Sequence, residues 1–301
     1  MAAINTGLWM KAMWPGINKF YGQEYKEHPV EYTDLFDTFK SRKAWEEDVG
    51  TSGFGLFQRK GEGVPISYDA NRAGYVSRYT MVTYGLGFQI TKETIEDDQY
   101  DVAMEKGGRG LAFSIRQTKE VLAAQVYDRA FTSTYTGGDG LELCSLLHTN
   151  VAGGTYANEL ATAADISEAS LEQAVIDLMK FKNDRSLNIA VLPQSLIVPV
   201  DLWAEAEKIL KTTQEVGTPN NTVNVVRGHF PKGLKVNHYL TDTDAWFIRT
   251  NVRDGMKYFV RREDTFDMDD DFDTDNAKYK ATFRCAFGWT DPRGLFGSPG
   301  A

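Results

Sequence analysis

The clearest pattern along the chain is a strict two-residue alternation in VTYGLGFQI. Val82, Tyr84, Leu86, Phe88 and Ile90 fall on one side, and Thr83, Gly85, Gly87 and Gln89 on the other. This predicts a strand over 82–90 with one buried face. The bare glycines predict close approach of another backbone on the opposite face. In TKETIEDDQYD, which follows, Thr91 suits an N-cap and Glu93, Thr94 and Glu96 suit a first helical turn. After the glycines of KGGRG, apolar residues recur at spacings of three and four: Ala112, Ile115, Leu122, Ala123, Val126, Tyr127 and Ala130. They predict a helix over 111–131, ~30 Å long by the helical rise.

A second patterned region begins after the glycine-rich TSTYTGGDGLELCSLLHTNVAGGTY. DISEASLEQAVIDLMKFK reads as a helix capped by Asp165 or Ser167, with Leu171, Ala174, Val175, Leu178 and Met179 on its apolar face. NIAVLPQSLIVPV is strand material broken by Pro193, and DLWAEAEKIL is a helix with Asp201 as its cap. NTVNVVRG, LKVNHYL and AWFIRT read as short strands, and MKYFVRRED and KYKATFRCAFGW as longer ones joined by the acidic turn TFDMDDDFDTDNA. The strand-to-helix unit SLIVPVDLWAEAEKIL has the form that carries chemistry in many α/β enzymes. Its loop nevertheless holds no acid–base pair, glycine cradle or metal-ligand pair.

Residues 1 to about 50 scatter aromatics among charges and lack a sustained helical stripe, so they read as an arm that packs against something else. RKGEGVPISYDANRAGYVSRY holds short extended pieces between turn formers and is too polar for a core of its own. No internal repeat and no long linker divides the chain.

Composition narrows the function without selecting one. The 301 residues are 42% hydrophobic and 25% charged, near the globular norm. Aspartate and glutamate outnumber lysine and arginine 42 to 33, a formal charge of −9. Tight nucleic-acid binding usually needs the opposite balance. Cys144 and Cys285 lie far apart, outside any CxxC, as expected of reduced thiols in a protein made in the cytoplasm. No signal-peptide pattern and no apolar run of about eighteen residues occurs, so a soluble protein is expected.

Candidate chemistry is sparse. There is no Gly-Lys dipeptide for a Walker loop, and no GxSxG, HExxH or CxxC. GTSGFG lacks the GxGxxG spacing. Cys144 and His148 in CSLLHTN stand four apart, as a nucleophile pair could, but their apolar surroundings point to a buried thiol and a core histidine. His229 and His238 flank a strand-like segment and read as structural. The run Asp267 to Asn276 is the one candidate cation site, with Asp269, Asp271 and Asp273 as its oxygen donors. It fails the EF-hand template, and a charged turn is the plainer reading. No catalytic residue, cofactor site or firm metal site is expected, and hence no enzyme.

The order of the parts resembles the major capsid proteins of tailed bacteriophages, the Hong Kong 97 fold, and most nearly the bacteriophage Mu-like major head subunits. GFQITKETIEDDQYD and SLIVPVDLWAEAEKIL carry the likeness, with CSLLHTN between them. The resemblance implies an α+β fold. Residues 1–50 would be an N-terminal arm, and 51–90 an extended β loop with the first strand of a peripheral domain. Residues 91–144 would be the peripheral domain with its spine helix, 145–250 an α/β axial domain, and 251–301 strands returning to the peripheral sheet. The implied function is a structural capsid protein that self-assembles into the pentamers and hexamers of an icosahedral head. That head would enclose double-stranded DNA without tight sequence-specific binding. The implied partners are other copies of the chain, a portal, a separate scaffolding protein (no scaffolding segment precedes the arm) and a decoration protein, with no membrane. Assembly in the host bacterial cytoplasm would place the product in the virion. The family's best-known member joins subunits through a Lys–Asn crosslink. Lys60 lies near the extended loop, but no partner Asn or catalytic Glu matches.

Two other readings remain open. An encapsulin-like nanocompartment shell would share the fold. A cation-dependent hydrolase or binding domain would use the acidic turn at 267–276.

Overall fold

The computed structural model describes residues 22, 29–97, 100–214, 223–270 and 276–301. In chain order its elements begin with helix α1 (Tyr32–Leu35) and strands β1 (Asp37–Lys40), β2 (Trp45–Thr51), β3 (Ala73–Thr80) and β4 (Val82–Ile90). Helices α2 (Lys92–Glu96) and α3 (Tyr100–Asp128) follow, then β5 (His148–Thr149), β6 (Thr155–Tyr156), α4 (Glu168–Met179) and β7 (Pro193–Pro199). The chain ends with α5 (Trp203–Lys211), β8 (Leu234–Asn237), β9 (Trp246–Thr250), β10 (Met256–Asp270), β11 (Ala277–Trp289) and β12 (Leu295–Ser298).

Two four-stranded sheets organise these elements, ordered β1-β10-β11-β4 and β12-β9-β7-β8. In the first, β11 alternates between buried and more exposed positions and turns Tyr279, Ala281, Phe283 and Cys285 inward. Against it lies β4, whose alternation places Tyr84 and Phe88 opposite Phe283 and Tyr279. Both aromatic pairs stack, with ring centroids 5.2 and 4.9 Å apart. Helix α3 packs on this sheet through Leu111, Ala112, Ile115, Ala123 and Tyr127.

The second sheet is covered on both faces, so its strands read as continuous apolar runs. Ile197, Phe247 and Leu295 point into the core shared with α3 and the first sheet. Their sequence neighbours Leu196, Val198, Trp246, Ile248 and Phe296 point into a second core, closed by α4 and α5. The strand-to-helix unit SLIVPVDLWAEAEKIL is therefore a wall between two cores.

Several elements differ from the sequence expectation. Helix α3 runs through KGGRG and begins at Tyr100. Glycine is required where it passes β4, because a Cβ on Gly107 would lie 2.7 Å from the Phe88 ring. Pro193 starts β7 instead of breaking it, a position that needs no ladder N–H. Ser167 is the cap of α4, in a reciprocal bond with Ser170, but Asp201 caps nothing: the N-cap of α5 is Leu202, with no side-chain bond. NVVRG is no strand, because the Asn224 carboxamide accepts from the amides of Val226 and Arg227 and holds a turn. The backbone that approaches Gly87 is that of β11. A Cβ there would stand 2.6 Å from the Tyr279 carbonyl oxygen. Gly87→Ala is expected to cost about 1–3 kcal/mol, as overpacking does, measured by urea unfolding against the wild type.

Three connections carry the chain between the sheets: a long one leads from β4 to β7 through α2, α3 and α4, and two shorter ones join the later strands. The β9–β10 link and the β11–β12 link run together, with the Thr290 amide donating to Gly255 O (3.1 Å) and the Asp291 amide to Asp254 O (3.0 Å). Gly255 and Gly294 touch there: a Cβ on Gly294 would lie 2.5 Å from the Gly255 Cα.

Candidate assembly surface

The feature without a core of its own is the hairpin of β2 and β3. Its stem pairs Trp45 with Thr80 through Val49 with Val76, and a register shift follows at Gly50. Gly50 faces Gly74 so closely that a Cβ on Gly74 would lie 2.9 Å from the Gly50 carbonyl. Below this point the stem is tied to the body. Lys257 Nζ donates to Asp48 Oδ2 (2.6 Å), and Thr290 Oγ1 donates to the same oxygen (3.0 Å). The Tyr79 hydroxyl meets Thr290 Oγ1 at 2.6 Å. A polar cavity of about 300 Å³ lies between stem and body, lined among others by Asp48, Tyr156, Lys257 and Arg293.

Beyond Gly50 the distal loop, 52–72, forms no strand. Asp69 closes its base by accepting from the amides of Gly55 and Ala70, both at 2.8 Å. Arg185, from the loop before β7, donates to Asp69 Oδ1 (3.2 Å) and to the Ala70 carbonyl. The bond from the Gly55 amide, with help from Ala70 and Arg185, holds the Asp69 carboxyl below its usual range. A depressed carboxyl stabilises its folded surroundings above its unfolded value and stops doing so as pH falls through the folded one. Acidification below the ordinary carboxylate range, about pH 4, should thus release the loop base. NMR shifts of the Gly55 amide would show this, and Asp69→Ala should give the released shifts at neutral pH.

The loop exposes Phe54, Leu56, Val64 and Ile66, and Phe57 and Tyr68 are essentially bare at 104% and 98% exposure. Apolar side chains gathered on one projecting segment mark a contact surface. Sequence polarity identified the segment but not this load. The polar and glycine residues dominate the composition, and only the conformation shows that all six aromatic and aliphatic groups lack cover. Lys60 lies exposed in the same loop.

The other candidates are placed as follows. Asp267 and Asp269 belong to β10, not to a turn, and stand opposite Lys280 and Lys278 in register. Cross-strand opposite charges explain why that part of the acidic run is tolerated. Asp271 and Asp273 lie outside the described residues, as does the middle of the acidic run, 271–275. Among the described residues no group of acidic, histidine or cysteine side chains is arranged to hold a metal ion.

Cys144 and His148 are both buried but share no helix. His148 Nδ1 meets Asp139 Oδ2 at 2.5 Å and Nε2 meets the Leu143 carbonyl at 3.3 Å, so neither nitrogen serves the thiol. Burial pushes the Cys144 thiol well above its ordinary range, the reverse of an activated nucleophile. His238 bonds Glu31 at 2.6 Å on the surface. His28 is outside the described residues.

Two structural hubs escaped the sequence reading. Buried Asn158 donates to the carbonyls of Leu143, Pro292 and Leu295 (2.7, 3.0 and 3.1 Å) and accepts from the Ser145 amide (2.8 Å). Arg293 reaches Asn150 (2.5 Å), Asp184 (3.2 Å) and Asp291 (3.4 Å), with its guanidinium 4.1 Å from the Tyr156 ring centroid. Their partners are distant in sequence, and no local motif announces them.

Residues 74–297 match the family model described as phage capsid protein. The chain belongs to the phage capsid protein family. It is a structural shell protein, a component of the virion capsid. Similar solved structures agree on an α+β capsid fold of the Hong Kong 97 type. The virus-like particle from Pyrococcus furiosus is 12% identical with a TM-score of 0.52, covering 94% of this chain and 97% of that one. The bacteriophage JBD30 procapsid is 15% identical with a TM-score of 0.53, covering 98% and 76%. The capsid of an empty GTA particle is 10% identical with a TM-score of 0.55, covering 89% of each chain. No curated protein matches the chain.

Proposed function

We propose that the chain self-assembles into pentamers and hexamers of an icosahedral phage head enclosing double-stranded DNA. The observation that carries this reading is the distal loop, whose uncovered apolar side chains need a second copy to bury them. In this reading residues 1–50 form the arm, 51–90 the extended loop with the first peripheral strand, α3 is the spine of the peripheral domain, and residues 145–250 form the axial domain. Motifs GFQITKETIEDDQYD and SLIVPVDLWAEAEKIL support a place beside the Mu-like head subunits. The formal charge of −9 supports a shell that leaves its genome loosely held. A portal, a separate scaffolding protein and a decoration protein would complete the particle, assembled in the host cytoplasm.

Electron microscopy of the purified full chain tests this. Closed shells, with the 52–72 amides protected from hydrogen exchange only after assembly, are expected. A discrete monomer or dimer at all concentrations would overturn it, and small portal-free shells around a cargo protein would indicate a nanocompartment instead.

A further inference from the structure

The first sheet ends in β4, and nothing among the described residues pairs with its outer edge. An exposed edge normally carries charge, a bulge or a cover that prevents another strand from adding to it. The remaining sheet edges follow that rule. β1 carries Asp37 and Lys40, β8 carries Lys235, and β12 is short and buried. β4 does not. Its nine residues include no charged side chain, and Val82 and Leu86 are 46% and 57% exposed.

The same chain displays a strand-patterned segment with no sheet to join. In VPISY of the distal loop, Val64, Ile66 and Tyr68 repeat at period two, and all three are exposed. Pro65 interrupts them in an informative place. Successive residues of a strand direct their backbone groups to opposite sides. If Val64, Ile66 and Tyr68 bond a neighbouring strand, the missing N–H of Pro65 falls on the outer side, where no bond is needed. Such a segment can end a sheet but cannot sit within one.

We infer that residues 64–68 of one copy add as a fifth strand to the β4 edge of a second copy, extending the sheet across the subunit boundary. Side chains Val64, Ile66 and Tyr68 then continue the apolar face that begins with Val82 and Leu86. Backbone bonds supply the attachment and the alternating apolar groups fix the register, as in other strand-addition complexes. A second copy is the occupant because the loop lies exposed on its own subunit, its base held by Arg185 and its residues 64–68 unpaired with their own β4. This inference rests on the shell reading and names the surface that receives the loop.

Disulfide trapping tests it. Ile66→Cys is combined in turn with Val82→Cys, Tyr84→Cys, Leu86→Cys and Phe88→Cys, with Thr83→Cys on the other face as control. Adjacent strands hold opposed residues within disulfide range. In oxidised shells one or two neighbouring members of the series should link subunits into covalent multimers on a non-reducing gel. Unassembled subunits and the Thr83 control should not. Closed shells in which no member links would overturn the pairing and leave the shell reading standing. If the wild-type chain forms no shells, both fall. Should the double variants not assemble, hydrogen exchange of the wild type decides. The peptides covering 64–68 and 82–90 should gain protection together on assembly, and unchanged exchange in β4 would overturn the inference.

Discussion

Excising Phe54 to Tyr68 and closing the hairpin with a short turn should give a well-folded subunit that no longer forms shells. None of the excised side chains belongs to either buried core, and the stem bonds at Asp48, Tyr79 and Ser52 all lie outside the deletion. Subunit stability should therefore change by less than about 1 kcal/mol, as surface changes usually do. Assembly loses far more. Burying one large apolar side chain is worth roughly 1.5–3 kcal/mol, and six such groups are removed: Phe54, Leu56, Phe57, Val64, Ile66 and Tyr68. Ordering the loop and bringing subunits together offset much of that, but even a third of the gross value exceeds 1.4 kcal/mol, a factor of about ten, at every contact. Sedimentation velocity should show only slow species at concentrations where the wild type forms shells. Shells at the wild-type threshold would show that the loop does not drive assembly.

Replacing Arg293 should do the opposite, damaging the subunit itself. The guanidinium is buried and holds Asp184, Asp291, Asn150 and the face of Tyr156 together. Arg293→Met keeps the aliphatic stem but leaves two carboxylates beside each other without a cation. Breaking a buried pair costs up to 3–5 kcal/mol. Asp184 and Asp291 keep some contact with water, so roughly 3 kcal/mol is expected here. Arg293→Lys should recover only part, since an ammonium cannot span all the partners of the fork. The pH dependence has a definite sign. Burial already raises the Asp291 carboxyl above its ordinary value, despite Arg293 lowering it. The neutral acid is thus the form the fold accepts once the cation is gone, and the penalty in Arg293→Met should shrink as pH falls through the carboxylate range. Urea unfolding at neutral and mildly acidic pH measures both effects. Arg253→Ala, an exposed cation near the same cavity, should change little.

How much of this was legible in the chain depends on how local the signal was. VTYGLGFQI marks the bounds of β4 to the residue, but the face expected to be buried is covered only in part, since Val82 and Leu86 on it are exposed. Ser167 and the Leu171–Leu178 stripe mark α4. The apolar run of β7 was readable as a buried strand, and it is covered on both faces. Local rules failed where distant contacts decide. KGGRG reads as a break until the Phe88 ring is seen to occupy the space above Gly107. NVVRG has strand composition, but Asn224 bonds the backbone into a turn and donates to the Ile209 carbonyl. Asn158 is an ordinary polar residue in sequence, and its carbonyl partners lie up to 137 positions away. The assembly surface was half legible. Glycine spacing and polarity showed a segment without its own core, but the unpaired edge of β4 emerges only when the strand order is known.

The paired links between the two sheets have a mechanical meaning. Here two threads lie side by side, laced to each other at Thr290–Gly255 and Asp291–Asp254 and seated glycine against glycine. A pull on one sheet is shared by these two laced links and the longer β4–β7 connection, with Asn158 as a brace beside the pair. Outward pressure on a shell wall would then be carried through the subunit as through a riveted plate. The compliant part is the hairpin beyond Gly50 and Gly74, so strain in the wall should gather at the joints between plates and spare the plates themselves.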